Sequence, residues 1–142
     1  AHTTWIVHGS HGEGFDEHGF RGHGTELYNE MLQVPLLIAG SSTARGHYKV
    51  AAVSTLDIAP TILDLATASL ENSAGRSLKA IAQGALTAPH TPILAHAWRR
   101  RCVIDWPFKL MLIRRGNKRD RLLLFNLDHA LNRHVGFHNS RF

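Results

Sequence analysis

The sequence contains a single cysteine, Cys102, and no long apolar run. One cysteine cannot form a disulfide within the chain, so a disulfide-stabilised scaffold is excluded and the redox compartment stays open. The longest apolar runs, residues 34–40 and 122–125, are far shorter than the roughly 20 residues that a membrane-spanning helix needs. The chain begins without a methionine or a signal-like segment, so we expect it to be part of a longer protein.

What is present is the composition of a folded domain. Apolar residues make up 44% of the 142 residues and charged residues make up 19%, which suits a soluble chain that buries a core. This composition excludes intrinsic disorder over most of the length, and it excludes collagen-like and coiled-coil architecture. The length corresponds to one domain of ordinary size.

The positive charge is concentrated in residues 99–121. Nine basic and two acidic residues give this stretch a net charge of +7, whereas the whole chain has a formal charge of +5. Such a stretch could hold phosphates and stack bases on the neighbouring aromatic residues Trp98, Trp106 and Phe108. However, the charges gather between two apolar runs, residues 108–113 and 122–127, which is typical of a solvated hairpin turn. We therefore expect a hairpin and no nucleic-acid partner.

Apolar periodicity predicts alternating strands and helices in the first forty residues. A strand is predicted at residues 4–7, followed by a glycine-rich loop at residues 10–24. A helix is predicted to begin at the N-cap Thr25, and its buried side is expected to carry Leu27, Met31 and Leu32. Residues 34–39 form an apolar run typical of a strand that is covered on both faces.

The middle of the chain predicts a second helix with clear capping signals. Ser54 is the expected N-cap, Asp57 stands at the third helical position and Pro60 lies in or near the first turn. The apolar positions expected to form its buried stripe are Ile58, Ile62, Leu63, Leu65 and Ala66. A short helix at residues 77–83 and a strand at residues 93–96 follow. The predicted fold class is α/β with an antiparallel appendage.

The loop of residues 10–24 concentrates the residues that could carry chemistry. Its possible metal ligands are imidazoles and carboxylates of the kind used by zinc or manganese, namely His11, Glu13, Asp16, Glu17, His18 and His23. The chain has no second cysteine and no His-Glu-x-x-His sequence, so no zinc-finger or metalloprotease spacing is present. Spacing alone leaves two interpretations open, a metal site and a flexible loop of surface histidines.

The loop and its preceding strand resemble the metal-site signature of the sulfatases, within the alkaline-phosphatase superfamily. Members of this family carry a hydrophobic strand, Thr-Ser-Asp-His-Gly-Glu, an acidic and glycine-rich segment, and Gly-His-Gly or Gly-Lys before a helix. This chain has the hexapeptide His-Gly-Ser-His-Gly-Glu at residues 8–13, Gly-Phe-Asp-Glu-His-Gly at 14–19 and Gly-His-Gly at 22–24.

Five downstream segments continue the resemblance in the family's order. Val-Pro-Leu-Leu-Ile at residues 34–38 is similar to the strand Arg-Val-Pro-Leu-Ile-Ile, and residues 54–66 are similar to a helix containing Asp-Leu-Ala-Pro-Thr. Gly-Arg-Ser-Leu at 75–78 is similar to a Gly-Arg-Ser-Leu-Leu segment, and residues 108–110 and 124–128 are similar to the closing strands.

The resemblance implies a partial alkaline-phosphatase-like α/β/α sandwich with a small C-terminal antiparallel hairpin region. Residues 1–97 would be the C-terminal part of the sulfatase α/β core, including the metal-site loop. Residues 98–142 would form the C-terminal antiparallel strands and tail.

The resemblance also implies roles for individual residues of the loop. His11 matches the family's metal-ligand position, and Ser10 stands where the family has an aspartate ligand. His23 matches the basic residue that contacts the sulfate or phosphate, or that binds a second zinc in phosphoethanolamine transferases. Glu13 is expected to stabilise the loop rather than bind metal, and His18 is expected to be a surface histidine.

Two departures from the family pattern bear on catalysis. The neutral hydroxyl of Ser10 is a much poorer ligand than a carboxylate and cannot offset the charge of a dication. The family's nucleophile motif, Cys/Ser-x-Pro-x-Arg, is missing because Cys102 is followed by Val-Ile-Asp-Trp, and the family's aspartate pair is missing as well. We therefore expect no catalytic residue in this chain, and we expect Cys102 to be a buried strand cysteine.

The function implied by the resemblance is that of a fragment of a metal-dependent sulfatase-type hydrolase, inactive alone. The cofactor would be a divalent metal, Ca²⁺ or Zn²⁺/Mn²⁺, and a formylglycine would belong only to the missing N-terminal part. One alternative is a phosphoethanolamine- or phosphoglycerol-type metallophosphotransferase fragment, which zinc would favour. The others are a degenerate non-catalytic binding module and, last, a basic nucleic-acid binder.

The expected partner is a sulfate- or phosphate-ester substrate of the full-length parent, with no nucleic acid and no membrane segment. The sequence does not select the ester or the compartment. Members of this family are often exported, periplasmic or lysosomal, and the targeting segment would lie upstream of this chain.

Overall fold

The computed structural model describes residues 3–46, 52–69, 71–85, 91–128 and 134–135. The chain folds as two compact units. The first unit comprises Ala1–Ser10 and Pro35–His90, and the second comprises His11–Val34 and Thr91–Phe142. The boundary between residues 97 and 98 that the sequence suggested stays a prediction.

Within its described residues, the first unit contains two strands, a 3₁₀ turn and two helices. The strands β1 and β4 pair antiparallel, with Ile6 opposite Ile38 at the centre of the register. The bounds are β1 Thr4–His8, β4 Leu36–Gly40, the 3₁₀ turn Thr55–Asp57, α2 Ile58–Leu65 and α3 Lys79–Ala82.

The prediction that residues 34–39 form a strand covered on both faces is wrong for this unit. Strand β4 begins at Leu36 and pairs with β1 alone in a two-stranded sheet. One face of this sheet carries Trp5, Val7 and Leu37, which are 66%, 55% and 57% exposed. Each strand alternates its side chains between two faces, and no described residue covers this face, so these three side chains are left in water.

The capping signals around Ser54 are confirmed. The Ser54 hydroxyl accepts from Leu56 N at 3.2 Å, and Asp57 Oδ2 accepts from Ser54 N at 2.9 Å, which closes a capping box before α2. The predicted apolar stripe is wrong at Ile62, which is 49% exposed, and at Ala66, which is also exposed. Thr61 is buried instead, because its hydroxyl donates to Asp57 O at 2.5 Å and accepts from Leu78 N at 2.8 Å.

The second unit contains a small hairpin, one short helix and a five-stranded antiparallel sheet in the order β5-β6-β7-β8-β9. The predicted strand after Pro92 and the predicted hairpin that contains the basic turn are both confirmed. The bounds are β2 Gly14–Phe15, β3 Arg21–Gly22, α1 Asn29–Leu32, β5 Ile93–Ala97, β6 Arg100–Asp105, β7 Phe108–Ile113, β8 Arg121–Asn126 and β9 His134–Val135.

The predicted helix start at Thr25 is wrong, because α1 begins only at Asn29 with Tyr28 as its N-cap. Tertiary contacts hold the preceding residues outside the helix. Glu26 forms an ion pair with Arg100, and Leu27 is buried in the core of the sheet. Such contacts outweigh a local capping preference, which amounts to only about 1 kcal/mol.

The core of the second unit lies on one face of the five-stranded sheet. Its buried residues are Leu27, Cys102, Met111, Leu123 and Phe125, so the prediction of a buried strand cysteine is confirmed. Burial raises the pKa of the Cys102 thiol, which disfavours the reactive thiolate. None of the helices within the described residues has the length and apolar character needed to cross a membrane.

Candidate metal centre

The histidine–glycine loop folds as the β2–β3 hairpin. Gly14 pairs with Gly22 and Phe15 pairs with Arg21, so the residues just before β2 and just after β3 meet at the open end of the hairpin. This pairing explains why His11 and His23 come together although eleven residues separate them.

The open end of the hairpin is packed tightly on α1. Gly12 N donates to Met31 O at 2.9 Å. A Cβ atom at Gly12 would lie 1.8 Å from Glu30 O, a distance that real Cβ atoms do not reach. Glycine is therefore required for the backbone to approach this closely, and the position of His11 beside it depends on that approach.

His11, Glu13 and His23 form a cluster whose ligand atoms all lie within 4.8 Å of one another. The two imidazole rings are stacked, with centroids 3.9 Å apart and planes 17° from parallel. Glu13 Oε2 lies 2.8 Å from His23 Nδ1, and His11 Nδ1 lies 2.8 Å from Gly12 O. Among the described residues, these three are the group that could hold a metal ion.

The hydrogen bonds fix which nitrogen of each ring is available. A carbonyl oxygen and a carboxylate only accept, so Nδ1 must be the donor in both His11 and His23. In the neutral rings the free lone pair is then on Nε2, which is the form that binds metal. The pairing of His23 with Glu13 is the arrangement by which a carboxylate orients a metal-binding histidine.

The donor set fits a divalent ion. Two imidazoles and a carboxylate are ligands that zinc and manganese accept readily, whereas calcium prefers sites built from oxygen alone. The cluster is also accessible, because His11 and His23 are exposed and Glu13 is half-buried.

The other residues considered for the site lie elsewhere. Ser10 is an exposed residue two positions after the end of β1, and its role as a replacement for an aspartate ligand stays a prediction. Asp16 and Glu17 are in the turn of the hairpin, and Glu17 Oε2 accepts from Phe15 N at 2.7 Å. That bond and a second backbone hydrogen bond lower the pKa of Glu17.

His18 is more constrained than the expected surface histidine. The residue is exposed, but its Nδ1 lies 2.6 Å from Glu30 Oε1, and its ring stacks on Tyr28 at 3.8 Å between centroids. These contacts fix the tip of the hairpin to the segment around α1. His18 therefore supports the loop and is not in the cluster.

Buried charges lie between α1 and the five-stranded sheet. Lys109 is 1% exposed, and its Nζ donates to Asn29 Oδ1 at 2.9 Å. Burial lowers the pKa of Lys109 from 10.5 to about 8. Burial also raises the pKa of Glu26, although its ion pair with Arg100 partly opposes that shift. Neither residue was expected from the sequence, because neither stands in a recognisable motif.

The aromatic residues expected beside the basic stretch do not line it together. Trp98 stands in the β5–β6 turn, whereas Trp106 stands in the β6–β7 turn at the opposite end of the sheet. Phe108 begins β7 at that same opposite end. The stretch therefore lacks the row of aromatics on which successive bases could stack.

The chain is similar to known proteins both in sequence and in structure. Residues 2–68 match the family model described as Sulfatase, whereas the comparison with curated proteins gave no match. One matching solved structure is BT4656 in complex with its substrate D-glucosamine-2-N,6-O-disulfate, with 22% sequence identity and a TM-score of 0.74. The match covers 88% of this chain and 28% of that one, so the chain spans little more than a quarter of that protein.

The structural likeness establishes the fold, and the family model matches the segment that contains the cluster of His11, Glu13 and His23. Members of this family generally use a divalent metal, which agrees with the donor set found here. The fold is accordingly a partial alkaline-phosphatase-like one with antiparallel strands towards its C-terminal end. The match of residues 2–68 to the Sulfatase model and the shared fold together show that this chain is similar to the sulfatases.

Proposed function

We propose that this chain supplies part of the metal and substrate site of a sulfatase-type hydrolase, which cleaves sulfuric esters. The observation that carries the proposal is the convergence of His11, Glu13 and His23 at the open end of the β2–β3 hairpin. This hairpin lies inside residues 2–68, the segment that matches the sulfatase family.

In this proposal His11 binds the metal and His23 contacts the sulfate group. Both rings hold their Nδ1 protons in hydrogen bonds, so Nε2 is the nitrogen that each leaves for a ligand. Glu13 orients the His23 ring by accepting a hydrogen bond from its Nδ1. A bound dication would polarise the non-bridging oxygens of the ester.

The metal that suits these side chains best is zinc or manganese. The imidazole of His11 favours those ions over calcium, which prefers oxygen ligands. Ser10 would contribute at most a weak neutral ligand, so we expect a lower metal affinity here than at a site with the family's aspartate. Replacing Ser10 with aspartate should therefore tighten metal binding.

We propose a sulfate ester as the substrate of the parent protein. Support comes from the family match and from BT4656, whose bound substrate is a disulfated glucosamine. Cleavage of a phosphate ester, the substrate of the related phosphotransferases, would contradict this assignment if it replaced cleavage of a sulfate ester. The chain alone should have no activity, because its 142 residues contain no Cys/Ser-x-Pro-x-Arg motif and a nucleophile is needed for covalent transfer.

The exposed apolar face of the β1–β4 sheet supports the proposal that the chain is a fragment. Trp5, Val7 and Leu37 lie on one face with more than half of each residue in water. An uncovered apolar sheet is an aggregation hazard that folded proteins normally avoid. In a larger protein, further elements of an α/β/α sandwich would cover this face.

Metal titration of the 142-residue chain by calorimetry tests the site. We expect His11→Ala to weaken Zn²⁺ or Mn²⁺ binding by at least tenfold. His23→Ala and Glu13→Gln should weaken the binding of inorganic sulfate to the metal-loaded chain. His8→Ala is the matched control, because His8 is also exposed and its Nδ1 is likewise 2.8 Å from the next carbonyl oxygen, that of Gly9.

Two results would contradict the proposed site. One is the absence of saturable binding of any of the three cations, Zn²⁺, Mn²⁺ and Ca²⁺. The other is an equal loss of affinity in His8→Ala. Separately, metal-dependent hydrolysis of an aryl sulfate by the chain alone would refute its proposed inactivity.

A further inference from the structure

Two turns meet at one end of the five-stranded sheet, and we name this region the basic end. They are residues 97–100, which join β5 to β6, and residues 114–120, which join β7 to β8. Arg100 pairs with Ile113, and Arg114 N donates to Arg99 O at 2.9 Å, so the turns are adjacent. A Cβ atom at Gly116 would lie 3.5 Å from Arg99 Nη1, which places the Arg99 guanidinium against the second turn.

The basic end carries a dense and nearly uncompensated positive charge. The two turns expose Arg99, Arg114, Arg115, Lys118 and Arg119, and the strands that leave them add Arg101 and Arg121. Asp120 is the acidic residue of these turns, and it lies 3.8 Å from the Nε of Arg114. Arg100 does not contribute outward charge in the same way, because it pairs with the buried Glu26.

Charges of one sign at this density repel one another, and a solvated turn does not require them. A flexible polyanion would relieve the repulsion and release its own counterions, as occurs when basic proteins bind DNA. Arginine suits such a partner well, because its planar fork donates two parallel hydrogen bonds to a tetrahedral oxyanion.

We propose that the basic end binds a sulfated polysaccharide chain, as a surface separate from the metal cluster. The choice of sulfate as the anion rests on the proposed function, since an enzyme for sulfate esters on a polymer would gain from a second point of attachment. In that case the substrate of the parent protein would be a sulfated polymer and not an isolated monosaccharide.

The same surface is poorly suited to nucleic acid. Trp98 is the aromatic residue of the two turns, and the guanidinium of Arg99 already lies 5.4 Å from its ring centroid. Trp106 stands at the other end of the sheet. Proteins that bind single strands add stacking on several aromatic rings to their electrostatic attraction, and the basic end offers no such series among its described residues.

Fluorescence anisotropy with a labelled heparin dodecasaccharide tests the proposal on the full 142-residue chain. The key variant is the triple substitution Arg115→Ser/Lys118→Ser/Arg119→Ser, which changes exposed turn residues outside the core. We expect it to weaken binding at least tenfold at about 0.1 M salt and to reduce the slope of log K against log[salt] by about 2.

Single substitutions provide the matched control. Lys118→Ser and Arg45→Ser each remove one exposed positive charge, but Arg45 belongs to the other compact unit. Lys118→Ser should weaken heparin binding about threefold, whereas Arg45→Ser should leave it within the error of the measurement. Equal losses would show that net charge alone is responsible, and would overturn the assignment to the basic end.

Two further probes test the chemical class of the partner. Desulfated, N-acetylated heparin should bind at least tenfold more weakly than heparin. An oligothymidine with the same number of charges should also bind more weakly than heparin, and equal or tighter binding of it would replace the polysaccharide with nucleic acid.

The proposals for the metal site and for the basic end can be contradicted independently of each other. His11→Ala should weaken metal binding at least tenfold, and neither His11→Ala nor His23→Ala should change heparin binding. The triple variant should lose heparin binding and keep metal binding. Loss of heparin binding in the histidine variants would contradict a separate surface. Absence of metal binding with intact heparin binding would remove the proposed function and leave the basic end in place.

Discussion

The two compact units of this chain are stabilised in different ways. In the second unit, five apolar residues are buried together under one face of a five-stranded sheet. In the first unit, the described buried residues are Asp57, Thr61 and Leu78, and they are joined by hydrogen bonds around the start of α2. Its two-stranded sheet buries no residue and exposes Trp5, Val7 and Leu37.

The two units therefore differ in how far their own residues cover their sheets. The second unit covers one face of its five-stranded sheet with its own residues, whereas the other face leaves Leu94, Phe108 and Leu110 77%, 49% and 41% exposed. The first unit contains a well-capped helix but leaves apolar strand residues in water. We infer that the polar contacts of the first unit set local geometry, while apolar burial supplies most of the stability of the second.

The largest expected effect is the loss of a core side chain from the five-stranded sheet. Met111 is fully buried at the centre of the core, so Met111→Ala should destabilise the second unit by about 2–5 kcal/mol through lost burial and a cavity. Hydrogen exchange of the β6, β7 and β8 amides measures this change.

Leu37→Ala is the comparison from the first unit. Leu37 is 57% exposed, so its truncation should cost less than about 1 kcal/mol by exchange of the β1 and β4 amides. A loss at Leu37 as large as the loss at Met111 would mean that the β1–β4 sheet is buried in solution, for example by self-association.

The second-largest expected effect comes from the ammonium group of Lys109, which is buried in the second unit. The pKa of Lys109 falls from 10.5 to about 8 on folding because the ammonium is desolvated. Between about pH 8 and pH 10.5, Lys109 keeps its proton in the unfolded chain but has released it in the folded chain. The free energy of unfolding therefore rises with pH over this range. The 2.5-unit difference corresponds to about 3 kcal/mol.

Lys109→Met removes this titration. In a Cys102→Ala background, which eliminates the buried thiol, the unfolding free energies of the Lys109 protein and the Lys109→Met variant are compared from pH 7 to pH 10.5. The Lys109 protein should gain about 3 kcal/mol relative to the variant across the upper part of this range. Parallel pH profiles would show that Lys109 keeps an ordinary pKa.

Local signals were sufficient to predict the features that depend on neighbouring residues. The capping box of Ser54 and Asp57, the basic hairpin turn and the buried Cys102 all follow from short sequence patterns, and the structure confirms them. The resemblance of the loop also pointed to His11 and His23, which the hairpin pairing brings together.

Features that depend on distant residues were not predictable in this way. In β7, five of the six residues are apolar, so alternation could not decide which face is buried, and the structure buries Lys109 and Met111 rather than Phe108 and Leu110. The helix start at Thr25 failed for a similar reason, because contacts of Glu26 with Arg100 across the unit override the local preference.

The smallest expected effect lies in the hydrogen bonds of the first unit. The two carboxylate oxygens of Asp57 accept from Ser54 N and Arg76 N, each at 2.9 Å. Asp57→Ala would leave both N–H groups without this acceptor, and we expect a loss of about 1–2 kcal/mol, measured by exchange of the α2 amides.

Asp64→Ala, in the helix α2 that follows Asp57, is the matched control. Asp64 also accepts two side-chain hydrogen bonds, from Ser77 at 2.6 Å and from Lys79 at 3.0 Å, but its side chain is 44% exposed. Water can replace those partners, so its loss should cost less than about 1 kcal/mol. A cost at Asp64 equal to that at Asp57 would show that burial does not set the strength of these contacts, and that the polar network acts as a single unit.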